Sequence, residues 1–152
     1  MLTAARLIEP ALEREMPRAL TIYLMSTDVP KRKALQKAVD DLKLGLTLDE
    51  AYMPFEMAGY LPCILNGEDA GFDMWFKNRP SEFTVSPALQ SQIGDRGVAI
   101  LCKWGGDSRE AASALIVCAA LVKYFDAIAQ EGNGDTLLSS EQLLAKANAA
   151  LA

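Results

Sequence analysis

The stretch that decides the fold runs YLPCIL (residues 60–65), NG (66–67), EDAGFDMWF (68–76). Asn-Gly between two apolar runs is the strongest short-range hairpin signal, because a type I′ turn needs φ > 0 at both central residues. A two-residue turn also fixes the register. Leu65 then opposes Glu68, Cys63 opposes Ala70 and Leu61 opposes Phe72. With Met74 and Phe76 these residues make a core face. The other face carries Tyr60, Pro62, Ile64, Asp69, Gly71, Asp73 and Trp75, a mixture of carboxylates and aromatics.

Upstream, residues 3–16 have an amphipathic helical period that Pro17 ends. Residues 19–26, ALTIYLMS, read as a strand. Thr27-Asp28 offers an N-cap and Pro30 a first-turn residue for a helix reaching about Leu42. Leu35, Ala38, Val39 and Leu42 form its buried stripe. Lys31, Arg32, Lys33 and Lys37 form a basic side, expected to be a solvated face. Around Glu50 to Glu56 a short strand is expected, with Pro54 confining it to an edge.

Downstream, a short helix is expected at Pro87 to Ile93, and GVAILCKW (97–104) reads as a buried strand. Gly105-Gly106 breaks it. Asp107 caps the next helix, with Glu110 three residues on as in a capping box. The run from Ala111 to Ile128 is apolar nearly all round and predicts a central buried helix. Gly132 and Gly134 mark a turn, and Ser139 or Ser140 caps a last helix through Leu151. Its stripe is Leu143, Leu144, Ala147 and Leu151. The expectation is an α+β fold in a single domain, residues 1–152: a mostly antiparallel sheet of about four strands, with helices packed on one face.

A chain of 152 residues can hold a core without staples. Fifteen basic against twenty acidic residues give a net charge of −5, unfavourable for nucleic acid or an anionic membrane. The three cysteines, Cys63, Cys102 and Cys118, are widely spaced and form no CxxC. Free thiols, with neither an apolar leader nor an apolar run of about 20 residues, point to the cytoplasm. Histidine is absent, which removes histidine-based catalysis and His-containing metal sites. No phosphate-loop, dinucleotide or nucleophile-elbow motif occurs. No catalytic residue, metal ligand or cofactor is therefore assigned, and the chain is expected not to be an enzyme.

The charge pattern says more. Residues 44–76 contain Asp49, Glu50, Glu56, Glu68, Asp69 and Asp73, and no Lys or Arg. Aromatic anchors in a field of one sign suit a protein-binding surface. Tyr60, Trp75, Asp49, Glu50, Glu68, Asp69 and Asp73 are its candidate residues.

Three segments also carry a resemblance: the hairpin YLPCILNGEDAGFDMWF (60–76), WGGDSREAASALIVCAALVKYFDA (104–127) and LLSSEQLL (137–144). Together they resemble the immunity proteins of bacterial polymorphic-toxin and type VI secretion effector–immunity pairs. The shared pattern is a Leu-Pro hairpin with Asn-Gly, a Gly-Phe in the return strand, a Gly-Gly-Asp helix start and a closing Ser-x-Glu-Gln helix. The resemblance implies a cytoplasmic protein that binds a cognate toxin and occludes its active site. An acidic chain would complement a toxin with a basic cleft. Two other readings stay open. One is a small carboxylate-based enzyme centred on Gly105-Gly106-Asp107 with Arg109 and Glu110. The other is a homo-oligomeric regulatory subunit driven by the final helix.

Overall fold

A computed structural model describes residues 18–57, 59–79, 85–132 and 134–152. The helix expected over residues 3–16 lies outside them. In chain order the elements are β1 (Ala19–Leu24), α1 (Arg32–Asp41), β2 (Leu46–Leu48), β3 (Tyr60–Leu65), β4 (Glu68–Asn78), α2 (Pro87–Ile93), β5 (Val98–Lys103), α3 (Ser108–Tyr124), β6 (Ile128–Glu131), β7 (Leu137–Leu138) and α4 (Ser140–Leu151).

The hairpin is present as expected. Asn66 and Gly67 both have positive φ, 52° and 84°, as a type I′ turn requires. Leu65 pairs with Glu68, Cys63 with Ala70 and Leu61 with Phe72, the register expected from the turn. Around β3 and β4 the other strands build one antiparallel sheet of seven strands in the order β2-β3-β4-β5-β1-β6-β7. That is more than the four or so expected.

Three local differences shift element boundaries and add β6, with which β7 pairs. The strand beside β3 is Leu46–Leu48, not the 50–56 stretch, which is a turn. Helix α3 stops at Tyr124, because Asp126 turns left-handed (φ 56°), and residues 128–131 pair with β1 as β6. Asp tolerates that conformation better than most residues. Thr27-Asp28 does not cap α1. Ser26–Asp28 is a single 3-10 turn, and the helix begins at Arg32 without a side-chain cap. Pro30 explains this: the residue before a proline is driven out of the α region, and Val29 is extended.

The main core lies between one sheet face and helices α1, α3 and α4. Leu61, Cys63, Leu65, Phe72 and Met74 of the hairpin meet Ile22, Leu24, Ile100 and Cys102 there. Residues 112–121 of α3 are all buried, as expected of a central helix. Leu143 and Ala147 of α4 are buried in the same core. Asp107 caps α3 by accepting from Arg109 N and Glu110 N. Glu110 reaches back to Gly105 N (3.4 Å) instead of completing the box at Asp107. Ser139 and Gln142 form a complete capping box on α4.

Helices do not keep to one face. On the other side, Leu89 and Ile93 of α2 cover Tyr23 of β1 and Ala99 of β5. Among the described residues no helix covers the other half of the outer face, formed by β2, β3 and β4.

Strand β2 is an edge, and its outward backbone groups are met by side chains of α1. The Gln36 amide donates to Leu46 O (2.9 Å) and accepts from Leu48 N (2.7 Å), as a neighbouring strand residue would. Arg32 donates to Leu48 O (2.6 Å) and Asp49 O (3.2 Å), so it is not simply part of a solvated basic face. An edge guarded in this way cannot template a further strand. Gln36→Ala should cost about 1–2 kcal/mol in urea unfolding and raise light scattering with concentration. An unchanged midpoint and unchanged scattering would show that the edge needs no guard.

Candidate functional site

Strict alternation along β3 and β4 sends Tyr60, Pro62 and Ile64, with Asp69, Asp73 and Trp75, to the open half of the outer face. Where β2 leaves the sheet, Asp49 and Glu50 turn towards the same region. Tyr60, Pro62, Ile64, Asp69, Asp49, Glu50, Thr47 and Arg32 line an open depression of about 640 Å³. Tyr60 is 48% exposed and Ile64 41%, high values for large apolar groups on a sheet.

Backbone geometry fixes the aromatics. Tyr60 lies across Gly71 and its hydroxyl donates to Ala70 O (3.2 Å). Gly71 has φ 140°, and a Cβ there would stand 2.5 Å from the Tyr60 hydroxyl and 2.6 Å from Leu61 O. Only glycine fits under the ring. Trp75 packs in the same manner against Gly59 (φ 111°), whose added Cβ would stand 3.0 Å from the indole nitrogen. Asp49 is held by accepting from Ala51 N (2.9 Å), and its carbonyl by Arg32.

Among the described residues Asp49, Glu50, Asp69 and Asp73 take part in no ion pair. Of these four, Asp73 acts on Tyr60. Partial burial pushes its phenol above the ordinary value, and the carboxylates of Glu110, Asp73 and Asp107, with the Cys63 thiol, push in the same direction. The Gly105-Gly106-Asp107 turn thus adds to the same acidic surface, which the sequence does not reveal. Among the described residues Arg32, engaged with backbone carbonyls, and Lys103, the Cα partner of Asp73, border it, and Arg18 lies beside Gly106.

The structure therefore brings Asp49, Glu50, Tyr60 and Asp69 together in one depression. Asp73 and Trp75 are on the same face beside them. Glu68 sits apart: it points to the helix side, where Arg109 Nη1 binds its carboxylate at 2.5 Å. The other candidate centre is internally satisfied, with Asp107 capping, Arg109 paired to Glu68 and Glu110 bonded to Gly105 N. No group of three potential metal ligands occurs among the described residues, and no helix there is long and apolar enough to cross a membrane.

Sequence reasoning missed a projection that follows β2. Residues 49–57 form a tight turn anchored by buried Tyr52, whose hydroxyl donates to Pro30 O (2.9 Å). It presents Met53, 50% exposed, and Phe55, 47% exposed. Phe55 stacks on Phe76 (5.6 Å between ring centres) with a left-handed φ of 67°. Nothing in the aperiodic stretch 46–58 signals this placement.

No family model, no curated protein and no solved structure matches this chain.

Two measurements probe this geometry. Gly71→Ala should destabilise by about 1–3 kcal/mol and displace the Tyr60 ring, seen as a shifted ring resonance. A silent substitution would mean that the ring does not lie across Gly71. Under the depression, burial first and Asp49 second push the Cys63 thiol up to about 12 from 9.0. A folded value raised above the unfolded one keeps its stabilisation whole below pH 9 and loses it as pH rises towards 12. Between pH 8 and 10.5 the wild type should therefore lose on the order of 1–2 kcal/mol more than Cys63→Ala. Equal losses would refute the burial of this thiol.

Proposed function

We propose that this chain is an immunity-type protein that binds a cognate secreted bacterial toxin and occludes its active site, without catalysis of its own. The observation that carries the reading is the outer half-face where, among the described residues, Asp49, Glu50, Asp69 and Asp73 form no ion pair and surround an exposed, backbone-fixed Tyr60. Carboxylates without cationic partners suit a partner that supplies the cations, and toxins that act on nucleic acid carry basic clefts. Rigid aromatic anchors at the centre and charges at the rim are the arrangement of a binding hot spot. Opposite fields also speed encounter, an advantage for a protein that must capture a toxin before it acts.

The test couples capture to protection. The tagged chain should retain one toxin-bearing protein from its source cell at low salt and less of it at moderate salt. Co-expression should relieve growth arrest by that toxin domain. Asp69→Ala with Asp73→Ala should weaken binding on the order of ten-fold and flatten its salt dependence. Salt-insensitive binding, unchanged by the double substitution, would place the interface elsewhere. Failure to relieve growth arrest would end the neutraliser reading.

A further inference from the structure

Resting on that reading, we infer that the depression receives an arginine-bearing segment of the partner, with Tyr60 as the platform for a guanidinium. Among the described residues no element covers the sheet face beneath the depression, unlike the half under α2. Its occupant follows from charge. Unpaired carboxylates from Asp49, Glu50 and Asp69 ring the site, and the nearest cation, Arg32, is already tied to Leu48 O and Asp49 O. A cation from outside is the complementary group.

The aromatic selects the kind of cation. Tyr60 is anchored at its hydroxyl and lies over Gly71, so its ring is set before anything binds. A guanidinium is planar and weakly hydrated. It can stack on such a ring while its in-plane N–H donors reach carboxylates at the rim. A lysine ammonium is compact and strongly hydrated, and gains less from the same surface. Ile64, 41% exposed, offers apolar surface to the methylene stem of an arginine. At about 640 Å³ the depression exceeds what one side chain fills. A short segment with more than one cation matches that size.

The probes are acetylated, amidated pentapeptides with three arginines, three lysines or three citrullines at the same positions. Each is titrated into the full-length protein at low salt and followed by amide and tyrosine-ring NMR. The arginine peptide should perturb Tyr60, Ile64 and Asp69 and bind roughly three-fold tighter than the lysine peptide. The citrulline peptide should not bind. Tyr60→Phe should keep the preference for arginine, and Tyr60→Leu should abolish it, the arginine peptide falling to the affinity of the lysine peptide. Equal affinity for arginine and lysine, or a preference that survives Tyr60→Leu, would overturn the inference and leave only a diffuse acidic field. That result would not touch the neutraliser reading, which stands or falls on capture and growth rescue. Loss of growth rescue with the arginine preference intact would sink the reading and not the site chemistry.

Discussion

Everything on the open face depends on the register of one hairpin. Asn66 and Gly67 hold the type I′ turn, and with it the pairing of Leu65 to Glu68. A slip by one residue would send Leu61, Cys63, Leu65, Phe72 and Met74 to solvent and Tyr60 and Ile64 into the core. Gly45 (φ 74°) backs the turn: its carbonyl accepts from Asn66 N (2.9 Å), and a side chain there would collide with Asn66. Residues before the hairpin thus brace the turn that orders the face.

Much of this was legible in the chain because the signals are local. The two-residue turn, the helix at Pro87–Ile93 and the Ser139 cap each need only a few neighbouring residues, and each is present. Strands β6 and β7 were not legible. They are four and two residues long, and β6 continues the apolar run of α3 without glycine or proline between them. Strand β2 was placed a few residues late, because its edge is satisfied by Gln36 and Arg32 rather than by a pattern of its own.

The site divides in the same way. Alternation assigned Tyr60, Asp69, Asp73 and Trp75 to one face, and the structure keeps them there. The same alternation gives Glu68 the parity of Phe72 and Met74, so it lies on the helix side, bound to Arg109. What no local rule could supply is coverage. Only the packing of α2 over Tyr23 and Ala99 shows which half of the face a described helix covers. Nor could it show that Asp107 and Glu110, far along the chain, add their charge beside Tyr60. Features that looked separate in the sequence, a helix start and the outer face of a hairpin, share one electrostatic surface.

If the partner sits in the Tyr60 depression, hydroxyl-radical footprinting of the captured complex will show it. Tyr60 and Ile64 are well exposed in the free chain, as are Tyr124 and Leu151 outside the depression. Oxidation of Tyr60 and Ile64 should fall on complex formation while that of Tyr124 and Leu151 does not change. Undiminished oxidation of Tyr60, with protection at Tyr124 or Leu151, would contradict that placement.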